Sequence, residues 1–459
     1  MIDFKKVKNI YFLGIGGIGM SALARYFNHN GMKVSGYDKT PTPLTDHLIS
    51  EGIPVHFVDD IKYIPKKVDL VIYTPAIPKE HKEFIYLNEK GYALHKRAEI
   101  LGEIVKDSYT IAVSGTHGKT TITSMIAHIL KQSGKDVFSF IGGISKNYKS
   151  NLILSDKNSI AVVEADEFDR SFLQLHPDIA VISSMDADHL DIYGSKDYLV
   201  ESFRLFANQI RKDGKLFLKK GLQLSGVNAD VSSYSAKLKA DYYAKDIHVK
   251  NGSFYYTICA PNKVLISVKA GIPGLHNIEN AIVAAAIALN CGVKPTAIKK
   301  GLETYTGVSR RFDYRIKEEN LVFIDDYAHH PEEIKACIHA ARELYPGKKI
   351  TGVFQPHLFT RTRDLAEGFA ESLAKLDELI LLDIYPAREL PIKDITSEAL
   401  LSKIKMKNKM VCSKEGLIEE LVKRNLEVLI TIGAGDIDQL VEPIEKSLRN
   451  ILKAIKGIC

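Results

Sequence analysis

A chain of 459 residues, at roughly 150 residues per domain, has room for about three domains. Its 45% hydrophobic and 26% charged residues give the balance of an ordinary folded protein and exclude a low-complexity or disordered chain. The net charge of +6 comes from dispersed lysines with no basic stripe interleaved with aromatics, so no nucleic-acid partner is expected.

The first 106 residues alternate strands and helices. Asn9–Leu13 reads as a buried strand, followed by Gly14-Ile-Gly-Gly-Ile-Gly19 and a helix from Met20. A second strand, Lys33–Tyr37, ends at Asp38, and a third over 68–73 ends at Thr74-Pro75-Ala76. In Gly14-x-Gly16-x-x-Gly19 the glycines allow a tight turn and close approach of a pyrophosphate to a helix N-terminus, while Asp38 can take a ribose hydroxyl. Alone, the pattern leaves the ligand open between a nicotinamide dinucleotide and another pyrophosphate such as a UDP-sugar. A glycine turn with no ligand is the plain alternative.

Residues 106–109 read as a hinge into a second unit. Ile111-Ala-Val-Ser-Gly-Thr-His-Gly-Lys-Thr-Thr121 runs from a β-branched strand through glycines into an apolar helical pattern. That is the order of a phosphate-cradling loop. Gly115 and Gly118 let several N–H groups face one anion, Lys119 reaches the β/γ-phosphates and Thr120 holds Mg²⁺. Val113 stands where the strict P-loop has glycine, so this is a compact variant. A strand over 160–163 ends in Glu164-Ala-Asp-Glu-Phe-Asp169, and another over 179–183 ends in Asp186-Ala-Asp-His-Leu-Asp191. Acids at strand ends beside a P-loop are where a magnesium ligand belongs, and Glu164 and His189 are the candidates. Asp166, Glu167 and Asp188 stay open between metal ligands and solvated or capping acids. Residues 214–270 read as a β-rich, lysine-bearing excursion. Asn277 and Asn280, opening the alanine-rich helix 281–290, offer an adenine edge both donor and acceptor, or simply cap that helix.

After Thr306-Gly-Val-Ser-Arg-Arg-Phe312 a third α/β unit begins. It reads as strand 321–324, helix 332–344, strand Ile350–Phe354, helix 361–373, strand 379–382 and strand Val428–Ile432, with a basic amphipathic helix over 446–456. Polar clusters follow its strands: Asp325-Asp-Tyr-Ala-His-His-Pro331, Gln355-Pro-His-Leu-Phe-Thr-Arg-Thr-Arg363 and Tyr385-Pro-Ala-Arg-Glu389. They mark one working edge of a sheet. Two phosphate loops in one chain imply two phosphate-bearing ligands, with ATP used to activate something carried on the first nucleotide. Phosphoryl transfer then needs an arginine from elsewhere, and Arg310 and Arg311 stand at the junction of the second and third units.

Gly14-Ile-Gly-Gly-Ile-Gly-Met-Ser21, Ser114-Gly-Thr-His-Gly-Lys-Thr120, Glu164-Ala-Asp-Glu167, His276-Asn-Ile-Glu-Asn280, Ser309-Arg-Arg-Phe312 and Asp326-Tyr-Ala-His-His-Pro331 occur in this order. Together they resemble the Mur ligase family, specifically its alanine-adding branch, over essentially the whole chain. The resemblance implies an α/β fold in three domains. These are an N-terminal Rossmann-like UDP-binding domain (1–106), a central P-loop ATPase-like domain with a mainly parallel sheet (107–308) and a C-terminal Rossmann-like domain (309–459). It implies an ATP- and Mg²⁺-dependent ligase of peptidoglycan synthesis, in which the lactyl carboxylate of UDP-N-acetylmuramate becomes an acyl phosphate and then an amide with L-alanine. By the same resemblance Gly16, Gly17, Ile18, Gly19, Asp38, Thr74, Ala76 and Arg97 would hold the UDP-sugar. Ser114, Gly115, Thr116, His117, Gly118, Lys119 and Thr120 would hold the ATP phosphates, Asn277 and Asn280 the adenine and Asp326 the ribose. Thr120 and Glu164 would bind one Mg²⁺ and His189 a second; Arg311 would steady the transferring phosphoryl group; His330, His357 and Arg361 would line the alanine pocket.

Two departures stand out. Residues 198–204 carry no lysine where sibling ligases place a carbamylated one, which fits the alanine-adding branch, and Leu358 stands where relatives often carry a basic residue. The rivals are a ligase attaching a recycled tripeptide to the same sugar, a nicotinamide-dependent oxidoreductase and a non-catalytic ATP-gated binding protein. The five cysteines (Cys259, Cys291, Cys337, Cys412, Cys459) are scattered, never in C-x-x-C spacing, which argues for a reducing compartment. No apolar run reaches the roughly 18 residues of a membrane span. A cytoplasmic protein, a monomer or weak dimer without membrane insertion, is the expectation.

Overall fold

The computed structural model describes residues 2–155, 157, 159–186, 196–387 and 389–456. The chain forms two compact units: Met1–Ala244, Ile258–Ile266 and Glu279–Thr306 make the first, and Lys245–Thr257, Ser267–Ile278 and Gly307–Cys459 the second.

In the first unit, one sheet runs in the order Val55–His56, Lys33–Tyr37, Asn9–Leu13, Leu70–Tyr73, Leu94–Lys96. Every pairing is parallel. The strand order reverses at Asn9–Leu13, so the crevice beyond its carboxyl end is the expected ligand position for such a sheet. The glycine loop leaves from that point, and the helix it opens, Ile18–His29, starts two residues earlier than its apolar pattern suggested.

A second sheet places Tyr109–Ser114 between Ile160–Glu164 and Ile179–Ile182, in parallel with both. Ile111, Ala112 and Val113 are fully buried, as a strand covered on both faces requires. Beyond Ile160–Glu164 lies an antiparallel hairpin, Val137–Ser145 with Ser150–Ile153, whose register slips between Phe140 and Ser145. One apolar core serves both sheets, joining Leu23 and Phe27 of the first helix to Phe138 and Phe140 of the hairpin. Burial of each phenylalanine contributes about 2–3 kcal/mol.

A polar knot lies under the first sheet. Glu83, fully buried, accepts from Tyr11 Oη (2.5 Å) and from the Asp60 amide (3.2 Å), and pairs with His56 Nε2 at 2.8 Å. Burial raises the Tyr11 hydroxyl far above the usual phenol range, with the Glu83 hydrogen bond adding to it.

The second unit's sheet runs Asp313–Lys317, Val322–Asp326, Val428–Ile432, Ile350–Phe354, Glu378–Leu381, Lys409–Val411, parallel except at its first edge. The helix expected over 361–373 is two helices, Phe359–Asp364 and Ala366–Leu373, because Leu365 leaves helical geometry at φ −111°. The last helix begins at Asp438 rather than 446 and carries Pro443 inside it.

Candidate active site

The glycine loop is held by main-chain and carboxylate contacts. The Gly14 and Ile15 amides donate to the Tyr37 carbonyl (2.8 and 2.9 Å), and the Gly16 amide donates to Asp38 Oδ2 (2.7 Å). Asp38 Oδ1 also accepts from the Thr40 amide (3.2 Å), so this acid clamps the loop from the end of its strand. A Cβ on Gly14, at φ +86°, would meet Thr74 Cγ2 at 2.4 Å, so only glycine fits that turn. Thr74, through Oγ1, accepts from the Ala76 amide at 3.4 Å. Arg97 opens its helix beside Gly19 and comes within 3.7 Å of Asp166.

The second loop is braced by the neighbouring strand end. Ser184 Oγ accepts from the His117 amide (2.8 Å) and from Thr116 Oγ1 (2.9 Å), and Ser183 Oγ donates to the His117 carbonyl (2.5 Å). A Cβ on Gly115, at φ +129°, would meet Ser183 Oγ at 2.3 Å, while Gly118, at φ +87°, caps the helix Lys119–Gln132. Lys119 Nζ donates to both oxygens of Glu167 and to the Gly115 carbonyl, all at 2.8 Å. Burial pulls this ammonium toward neutrality, but the charges of Glu167 and Asp166 win and hold it protonated. Thr120 Oγ1 stands 3.2 Å from Glu164 Oε2, and Glu164 Oε1 accepts from the Gly142 amide at 2.6 Å. Burial raises the Glu164 carboxyl above its ordinary range. Ser114 lies buried at the end of its strand, and His117 Nε2 faces Asp186 at 3.5 Å. Asn280 Oδ1 lies 3.0 Å from where a Gly118 Cβ would be, which brings it to the loop. His189 and Asp188 lie outside the described residues.

A cavity of about 320 Å³ opens beside the glycine loop. Its lining runs from Gly17, Gly19 and Thr74 through Arg97 to Gly142, Glu164 and Asp166.

In the second unit, Asp326 is the last residue of its strand rather than the start of a loop. It accepts from the Phe312 amide (2.7 Å) and the Ala328 amide (2.8 Å), and burial pushes its carboxyl up to about 6. Arg310 braces this corner through Asp325 (3.2 Å) and the Gly433 carbonyl (2.6 Å). Arg311 lies over the Tyr327 ring at 5.0 Å with Glu333 at 4.0 Å, its side chain about one-third exposed (32%). Of the two arginines, it is the more exposed. His357 and Arg361 come together (3.3 Å), with His357 stacked on Tyr385. His330 instead caps the helix Pro331–Leu344. It is His329 that approaches the His357 ring edge-on, at 6.4 Å. Burial lowers His329 to about 4, so it is neutral at physiological pH. The Asn277 amide donates to the Pro273 carbonyl of its own segment at 2.6 Å.

The pair Ser183-Ser184 braces the site without having been singled out by motif reading, and Glu167, left open there as a metal ligand or a solvated acid, pairs with Lys119. Their signal was only position, at the ends of strands flanking the P-loop strand.

Three family models match in order along the chain: the Mur ligase family catalytic domain over 9–109, the Mur ligase middle domain over 113–288 and the Mur ligase glutamate ligase domain over 310–435. The UDP-N-acetylmuramate–L-alanine ligase of Flavobacterium johnsoniae is 51% identical, over 97% of this chain and 99% of that one. The ligase of the same name from Porphyromonas gingivalis is 48% identical, over 97% of this chain and all of its own. The crystal structure of the UDP-N-acetylmuramate-alanine ligase of Thermotoga maritima matches with a TM-score of 0.84 at 27% identity, covering 97% of this chain and 99% of that one. A murein peptide ligase from Psychrobacter arcticus, at 22% identity and a TM-score of 0.73, shares the fold. With three Mur ligase family models in order along it and a relative 51% identical over 97% of its length, the chain belongs to the Mur ligase family.

Proposed function

We propose that this chain is an ATP-dependent amide-bond-forming ligase that joins L-alanine to the lactyl carboxylate of UDP-N-acetylmuramate. The observation that carries the reading is the cavity running from the glycine loop to Glu164, whose carboxylate meets Thr120 of the second loop at 3.2 Å. It gives a sugar nucleotide on one loop a path to a phosphate on the other. Names of relatives about 50% identical over nearly full length support the same substrates.

In the reaction a carboxylate oxygen of the sugar attacks the γ-phosphorus of ATP, the bond to the ADP oxygen breaks, and an acyl phosphate forms. The alanine amine attacks its carbonyl carbon, loses a proton, and the tetrahedral adduct collapses with departure of phosphate. Lys119 neutralises charge on the phosphates, with Gly115–Thr120 amides around them. Arg311 is the arginine we assign to the transferring group. His357 and Arg361 are assigned to the alanine carboxylate, and His330, as a helix cap, to shaping that loop. Asn280 and Asn277 remain the adenine candidates and Asp326 the ribose candidate. Thr120 and Glu164 supply a hydroxyl and a carboxylate oxygen side by side, a donor set that suits Mg²⁺. When bound, the ion offsets charge on the phosphates. Segments 1–106, 107–308 and 309–459 would divide the work between UDP-sugar, ATP and amino acid.

The test is phosphate release from ATP with Mg²⁺ and UDP-N-acetylmuramate, with and without L-alanine, followed by product mass. Release that needs both substrates, with a product heavier by one alanyl residue, is the expected result. Release with the tripeptide and not with alanine would move the substrate to the recycling type.

A further inference from the structure

The two loops must be held at a fixed separation, and the structure shows what holds them. The hairpin Val137–Ser145 with Ser150–Ile153 lines the cavity through Phe140, Ile141 and Gly142. At its register slip, the Gly142 amide donates to Glu164 Oε1 (2.6 Å), and a Cβ there would lie 2.5 Å from Glu164 Oε2. Such slips re-aim the backbone near a site. Its other strand carries Asn151, fully buried, whose amide nitrogen donates to the Ile18 carbonyl (2.7 Å) and to Ser21 Oγ (2.9 Å). Both acceptors belong to the first turn of the helix that the glycine loop opens. Asn151 Oδ1 in turn accepts from Arg25 Nη1 (3.1 Å), and Arg25 reaches Ser150 Oγ (2.7 Å) while it forks onto Glu51 (2.7 and 2.6 Å). Around this polar centre Tyr26 packs against Phe138 and Phe140.

An apolar contact alone can slide; a buried amide with every partner matched cannot. We propose that Asn151 is a positioning residue for the phosphoryl-transfer step. It locks the glycine-loop helix onto the hairpin that aims Glu164, and so fixes the acceptor carboxylate relative to the γ-phosphate. Asn151 touches neither loop's own anchors: Asp38 and Tyr37 hold the first, Ser183 and Ser184 the second. Its bonds fall on the main-chain carbonyl of Ile18 and on Ser21 rather than on those anchors, so it bears on the mutual alignment of the two nucleotides more than on the binding of either. The inference rests on the ligase reading above.

The experiment compares the parent with Asn151→Asp, which keeps size while removing both N–H donors, and with Ser21→Ala, which removes one acceptor. Steady-state ADP formation is measured against ATP and UDP-N-acetylmuramate, with nucleotide binding measured separately by calorimetry. The expected result is a kcat lower by about 10–100-fold for Asn151→Asp, as a misalignment on the order of 1 Å produces. KM and binding constants for both nucleotides stay within about twofold of the parent at the same time. For Ser21→Ala the fall in kcat is about threefold or more, again with KM kept. An unchanged kcat, or a raised KM for the sugar nucleotide at parental kcat, overturns the inference. If Asn151→Asp does not fold, Ser21→Ala decides by the same criteria. A parent enzyme that fails to turn over with UDP-N-acetylmuramate and alanine would instead sink the ligase reading itself.

Discussion

Lys119 shows how one motif residue depends on another whose role the sequence left open. The loop supplies the ammonium, and Glu167, forty-eight positions along the chain, receives it with both oxygens. Replacing Lys119 with Met is expected to lower kcat for ADP formation by about a thousandfold or more, with UDP-sugar binding unchanged by calorimetry. The lysine was legible because its partners in the loop are adjacent in sequence. Glu167 was not, since nothing local separates it from Asp166; only the packing of strand ends does. His128 carries a different consequence. It sits buried between Tyr148 Oη and Thr304 Oγ1, both at 3.0 Å, and burial lowers it from 6.5 to about 4. Above pH 6.5 it is neutral in folded and unfolded chains alike. As pH falls toward 4 the unfolded chain takes the proton first, so stability is lost, by about 2 kcal/mol at pH 5. The thermal midpoint of a His128→Gln variant should therefore fall less between pH 7 and pH 5 than the parent's; equal slopes would refute the shift.

At the level of elements, strands were easier to read than helix ends. Asn9–Leu13, Lys33–Tyr37, Ile350–Phe354 and Val428–Ile432 stand where their apolar runs place them. The single helix expected over 361–373 failed because a continuous polar–apolar pattern does not reveal one residue leaving helical geometry. The hairpin was not anticipated as part of the site, because its role lies in a backbone amide, which carries no side-chain signature. Gly142→Ala should push Glu164 aside, and half-maximal activity should then need about tenfold more Mg²⁺. Activity at saturating Mg²⁺ should partly return, whereas a collapse of folding, read by circular dichroism, would point to packing instead. Under the first sheet, Glu83→Ala leaves Tyr11 and His56 without their shared acceptor. It is expected to destabilise the first unit by about 3–5 kcal/mol, seen as a lower melting temperature.

On the scale of the molecule, three sheets and their order were legible, because alternation of strand and helix with glycine loops at strand ends is written directly in the residues. What composition could not convey is the distribution of the chain between two compact units, since contacts far apart in sequence decide it. The six-stranded sheet of the second unit lies wholly within residues 307–459. Limited proteolysis should accordingly leave a resistant fragment of that span, identifiable by mass; rapid loss of it would show that Lys245–Thr257 and Ser267–Ile278 are needed for its integrity.

The cavity beside the glycine loop has glycines in its wall. Gly17, Gly19 and Gly142 line it, and a methyl group at Gly19 or Gly142 would press on Arg97 or Glu164 at 3.0 and 2.5 Å. An inhibitor that packs closely on Gly142 would meet a surface where a side chain has no room without displacing Glu164. Resistance through this wall would have to sacrifice the enzyme's own geometry.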